Sequence, residues 1–73
     1  MKIVVFGNLS KELGWKEKKI SWEERMTPEK IWQREIKLKI NQVRPALNFK
    51  FCKWDESIPK NSELAFLPPM SGG

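Results

Sequence analysis

The reading turns on ELAFLPPMSGG, residues 63–73. Glu63 to Leu67 alternates like an extended strand, with Leu64 and Phe66 on one face and Ala65 and Leu67 on the other. Pro68-Pro69 ends it, because proline lacks the amide proton a ladder needs. Met70-Ser71 and then Gly72-Gly73 follow. Glycine's conformational freedom serves a chain inside a turn; at the last two positions it has no folding use. The expectation is a folded part over 1–67 and an extended, flexible tail over 68–73 whose tip works outside its own core.

Upstream of that strand, Lys60-Asn61-Ser62 reads as a turn, with Asn61 the residue best able to take positive φ. Residues 43–47 (VRPAL) and 49–53 (FKFCK) read as two further strands meeting at Asn48. Pro45 fits there only if its nitrogen faces away from the neighbouring strand or the strand is bulged. Thr27-Pro28-Glu29 is the clearest helix start: a capping hydroxyl, a proline at the first helical position and an acid near the positive dipole end. Trp32, Ile36 and Ile40 recur every four residues, flanked by Ile31 and Leu38, so one helix is expected over about 28–39. KIVVF (2–6) reads as the first strand, broken by Gly7-Asn8, and EKKISW (17–22) as an antiparallel second. Between them, Leu9 to Leu13 suits one helical turn, capped by Asn8 or Ser10 and stopped by Gly14. The sum is one main helix against one mixed sheet, an α+β domain.

Composition limits the chemistry. At 73 residues the chain makes one domain with a thin core. It has no histidine and a single cysteine, Cys52, which excludes an internal disulfide and any ordinary zinc site. Loss of the commonest general base makes catalysis within this chain alone an unpromising idea. One cysteine fits a reducing, cytoplasmic setting. The apolar run at the amino end is too short for a signal peptide or a membrane span. Net charge is +5, but Glu12, Glu17, Glu23, Glu24, Glu29 and Glu35 are interleaved with the lysines. That is the pattern of a solvated surface rather than a phosphate-binding face. Cys52 reads as a small apolar strand residue before it reads as a sulfur relay.

The element order and the Gly-Gly end together resemble the ubiquitin-like β-grasp sulfur carriers, and within that family the small subunits of molybdopterin synthases most of all. Their tail is an apolar strand, two prolines, a small aliphatic residue, Ser or Thr, and Gly-Gly; here Ala65 through Gly73 supplies it. Residues 43–73 lie on the family pattern without a gap, with Asn48 at its turn asparagine and Glu63 at the acid that opens the last strand. The first strand and the Leu13-Gly14 corner match more loosely. Three features depart from the pattern: Asn61-Ser62 replaces the usual Gly-Asp, Pro45 replaces an apolar strand residue, and the charge is unusually basic. Thiamine-pathway carriers share the end and the fold but generally lack the double proline, so Pro68-Pro69 is what points to the molybdenum-cofactor branch.

The resemblance implies a function. The Gly73 carboxylate, threaded with Gly72 into partner sites, would be adenylated with ATP by a separate activating enzyme and converted to a thiocarboxylate. It would then donate sulfur to a cyclic pterin phosphate held by the large synthase subunit, in an assembly of two small and two large subunits. No permanently bound cofactor or metal, nucleic acid or membrane enters this scheme. Partner contacts are expected from Leu67, Pro68, Pro69, Met70 and Ser71 along the tail, and from Val4 and Phe6 on the sheet face away from the helix. Alternatives are a carrier for thiamine or tRNA thiolation, a ubiquitin-like protein modifier and, last, a small basic nucleic-acid binder.

Overall fold

In a computed structural model that describes residues 1–40 and 42–68, five strands form one mixed sheet. They are β1 (Lys2–Val5), β2 (Glu17–Lys19), β3 (Arg44–Leu47), β4 (Lys50–Phe51) and β5 (Glu63–Leu67), in the order β2-β1-β5-β3-β4. β1 and β5 run parallel at the centre, and the other pairs are antiparallel. This is the β-grasp arrangement the sequence implied. The strand that leads into the tail, β5, is held on both sides, in register with Lys2–Val5 and with Arg44–Leu47.

Alternation decides what is buried. Ile3 and Val5 of β1 and Leu64 and Phe66 of β5 point toward the helix and are buried, while Val4, Ala65 and Leu67 face the other way. Ile31, Trp32 and Ile36 close over them from the helix, joined by Leu9, Met26 and Ile58. Trp32 is the centre of an aromatic cluster. Its ring meets Phe66 edge-on at 5.0 Å and Trp54 edge-on at 5.7 Å, and Trp54 stacks on Phe66 at 5.8 Å.

The main helix starts where the sequence placed it. Thr27 is extended (φ −131°, ψ 160°), its hydroxyl accepts the Lys30 amide at 3.2 Å, and Pro28 opens the first turn. Trp54 O takes another free amide, that of Glu29, at 3.0 Å. Removing this cap in Thr27→Ala is expected to cost about 1 kcal/mol, read as a lower urea midpoint with unchanged slope; an unchanged midpoint would refute the capping role.

The helix ends earlier than expected. It is α-helical over Pro28–Ile31 (α2) and widens to a π-type coil over Trp32–Ile36. The Lys37 amide bonds back to Trp32 O at 2.9 Å, and Lys37 itself takes φ 64°. The indole N–H of Trp32 then donates to Leu38 O, so the chain folds over the tryptophan instead of continuing. Ile40 and Leu38, expected on the apolar stripe, are exposed. Length explains the stop: Pro28–Ile36 spans about 13 Å, close to the roughly 13–17 Å of four- and five-residue strands. A further turn would have no sheet beneath it.

Two smaller expectations also change. The first helical turn spans Gly7–Leu13 (α1), and neither Asn8 nor Ser10 caps it. The residue at the cap position is Phe6, and the Ser10 hydroxyl donates to Gly7 O at 2.7 Å. Gly14 does stop it, in the left-handed conformation (φ 81°), with its amide on Ser10 O. The second strand is only Glu17–Lys19. Pro45, meanwhile, sits inside β3 without breaking it. Its carbonyl accepts the Cys52 amide at 3.1 Å. In an antiparallel ladder a residue's N and O point to the same side, so its nitrogen faces the β4 edge and not β5. The missing donor is why β4 pairing stops at Phe51.

Candidate functional site

The tail's root is described and its tip is not. Leu67 closes β5 opposite Arg44. Pro68 is half-buried beside a groove shared with Trp32, Leu38 and Val43. On its other side stands Gly7, whose φ of 59° suits glycine and whose added Cβ would lie 3.2 Å from Pro68 Cγ. Gly7 therefore meets two demands at once, the turn out of β1 and room for the first proline. Sequence reasoning took it only as a strand breaker. The expected contacts at Pro69, Met70 and Ser71, and the expected reactive residues Gly72 and Gly73, lie outside the described residues.

The sheet face away from the helix carries the remaining expected partner residues. Register sets Val4, Ala65, Ala46 and Phe51 in one row across β1, β5, β3 and β4. Leu67 and Arg44 pair in the row nearer the tail, with Phe6 just beyond β1. Phe6 is exposed and Val4 and Leu67 are half-buried. Phe49 and Phe51 join this face, which sequence reasoning had not seen. Phe51 belongs to the face through its pairing with Ala46, whereas Phe49 sits in the turn, where strand alternation gives no signal.

Electrostatics around this face is simple. Lys2 lies 3.2 Å from Glu63 and 3.8 Å from Glu17, chiefly its bond to Glu63 raising its pKa. Arg44 lies over the Phe51 ring at 3.8 Å. Cys52 is half-buried on the same hairpin; burial first, then the Glu56 carboxylate, pushes its thiol above the usual range. A thiol held protonated is a poor nucleophile, which argues against a sulfur relay there. Among the described residues no cluster of side chains could hold a metal ion, and no helix is long and apolar enough to cross a membrane.

A central parallel pair of strands in a five-stranded mixed sheet, packed on one helix, defines a small ubiquitin-like β-grasp protein. The model of the ThiS family matches residues 3–73, and the chain belongs to that family of small sulfur carriers. Its members are adenylated by an E1-like enzyme and then bear a C-terminal thiocarboxylate. No curated protein sequence matches the chain. Solved structures that share its fold include the following. SAMP1 of Haloferax volcanii is 18% identical with a TM-score of 0.76, the match covering 100% of this chain and 98% of that one. A candidate molybdopterin converting factor, subunit 1, of Pyrococcus furiosus is 18% identical with a TM-score of 0.79, covering 94% and 95%. Urm1 of Sulfolobus solfataricus is 15% identical with a TM-score of 0.64, covering 93% and 99%.

Proposed function

We propose that this chain is the sulfur-carrying small subunit of a molybdopterin synthase. The observation that carries the reading is Pro68-Pro69, placed directly between the central strand and Met70-Ser71-Gly72-Gly73 in a ThiS-family chain. Likeness to the Pyrococcus furiosus protein supports the same branch.

In this reading the Gly73 carboxylate attacks the α-phosphorus of ATP in the activating enzyme, releasing pyrophosphate and leaving an acyl-adenylate. A sulfur donor displaces AMP and the tip becomes a thiocarboxylate. Its sulfur attacks the cyclic pterin phosphate in the large subunit, and water then returns the carboxylate. Two such cycles supply the two dithiolene sulfurs.

The tail suits that work. Six residues from Pro68 to Gly73 reach roughly 20 Å when extended. Gly72 and Gly73 have no Cβ and pass a channel that excludes side chains. The prolines keep the exit extended and lower the entropy lost on insertion. Val4, Phe6 and Leu67 on the outer face, with Pro68, Pro69, Met70 and Ser71 on the tail, form the partner contacts. The partners' catalytic groups do the chemistry; this chain supplies the covalent carrier.

Incubation with ATP, an activating enzyme and a sulfide source tests the carrier step by intact mass spectrometry. The expected product is heavier by the exchange of one oxygen for one sulfur, localised to Gly73. Adding the large subunit and the pterin precursor should discharge it. A charged carrier that fails to discharge there, yet serves thiamine or tRNA thiolation, would refute the branch. Likeness to SAMP1 favours a second reading, a protein modifier, which predicts a ladder of larger covalent species in cells.

A further inference from the structure

β1 and β5 run side by side and then part. Val5 and Phe66 are the last partners in their register, and the same offset carried two residues on sets Gly7 beside Pro68. There β1 turns away into α1, while β5 leads on into the tail. The backbone on the β1 side is pinned. Gly7 takes φ 59°, and its carbonyl accepts the Ser10 hydroxyl at 2.7 Å. A Cβ at this position would stand 3.2 Å from Pro68 Cγ, inside the roughly 3.5–4.0 Å at which two carbons rest against each other. The proline ring therefore uses the space that a side chain at position 7 would fill.

Pro68 is where the direction of the tail is decided. Its own ring fixes φ near about −65°. The proline that follows it in the sequence confines its ψ to extended values. Neither torsion can absorb a shift of the ring, so a displaced ring tilts the chain after it. The ring is not clamped, for Pro68 also borders an open groove of about 360 Å³. An atom crowding in at position 7 would push the ring aside and leave the core, whose last residue is Phe66, in place. The shift grows toward the tip, five residues further along the sequence, or roughly 17 Å of extended chain.

We propose that Gly7 is a positioning residue for the carrier reaction: by presenting no side chain it seats the Pro68 ring against the end of β1 and sets the direction in which the tail leaves the sheet. The proposal rests on the carrier reading, in which Gly73 is the reacting end. Reacting groups must meet in near-attack geometry, and a misplacement of about 1 Å there costs up to roughly a hundredfold in rate. Rotatable backbone between the prolines and the tip takes up part of any tilt, so the loss expected from a Cβ at position 7 is on the order of tenfold. The folded body is unchanged, so its docking holds and the loss falls on kcat rather than KM.

Gly7→Asn tests this, because asparagine accepts positive φ yet adds the Cβ. Its urea midpoint should change little. With the carrier as the varied substrate of its activating enzyme, kcat for pyrophosphate exchange should fall about tenfold at unchanged KM. Pro68→Ala removes Cγ. Whatever that change costs alone, adding Gly7→Asn to it should lower kcat no further, so the two positions couple in a double-mutant cycle. A glycine that serves the turn and has no hold on the tail would lose the same factor with or without Pro68, and that result overturns the proposal. So does an unaltered kcat in the Gly7→Asn single variant, which leaves the carrier reading standing. An unaltered chain that is not adenylated sinks both. One measurement needs no variant: a nuclear Overhauser contact between the Gly7 α protons and the Pro68 γ protons is expected in the full chain, and its absence would refute the seat.

Discussion

Trp32→Ala is expected to remove roughly half of the stability of the fold. Trp32 is 2% exposed and touches Phe66 and Trp54 edge-on. Truncating a buried tryptophan to alanine costs about 3–5 kcal/mol, because the cavity does not close. A domain of this size has about 4–11 kcal/mol in all. The loss is therefore a large share of the whole, and it loosens the hold on β5, the strand that leads into the tail. Trp32 also donates its indole N–H to Leu38 O, fixing the turn that ends the helix. Trp32→Phe keeps one aromatic ring but loses that bond and part of the buried volume, so it should fold with a moderately lower midpoint. Circular dichroism against urea reads both variants. A Trp32→Ala midpoint within about 1 kcal/mol of the unaltered protein would mean that the aromatic cluster does not hold the core.

The parts that were legible in the sequence are those set by local chemistry. Thr27-Pro28 marks a helix start because a cap and a fixed φ act within one turn. β5 read correctly because Leu64 and Phe66 alternate with Ala65 and Leu67 between a turn asparagine and two prolines. Asn61 takes φ 58°, as its residue type suggested. The errors came where tertiary geometry overrules a local pattern. Ile40 continues the four-residue period, yet the sheet is too short to cover it, and the Trp32 indole draws the chain aside. Gly7 looked like punctuation; only the approach of Pro68 shows its second role. At the candidate site, Val4, Phe6 and Leu67 could be placed on one face by counting in twos. Phe49 could not, because nothing in a single sequence marks phenylalanine as left-handed. Its neighbour Asn48 was read as the whole turn, when the hairpin needs two such residues.

Deleting Gly73 is expected to abolish sulfur transfer without altering the fold. The core side chains, from Ile3 to Phe66, all precede the tail, so the urea midpoint should stay put. The carboxylate, however, retreats by about 3.3–3.6 Å, the rise of one extended residue. A reacting group held in near-attack geometry carries an effective molarity of roughly 10⁵–10⁸ M, and that advantage vanishes over such a distance. Amidation of Gly73 removes the nucleophilic oxygen altogether and should be equally silent. Gly72→Ala keeps the carboxylate in reach but adds a Cβ to the part that threads the partner's channel; its rate should fall between those of the unaltered chain and the deletion. Pyrophosphate exchange measures the adenylation step, and intact mass the thiocarboxylate. Both signals should drop to background in the deletion and the amide. A deletion variant that still exchanges pyrophosphate and still gains sulfur would show that the reactive atom lies elsewhere in the chain. One that exchanges but gains no sulfur would leave Gly73 needed only for the second step. Because the fold is unchanged in each case, such results bear on the chemistry of the tip alone.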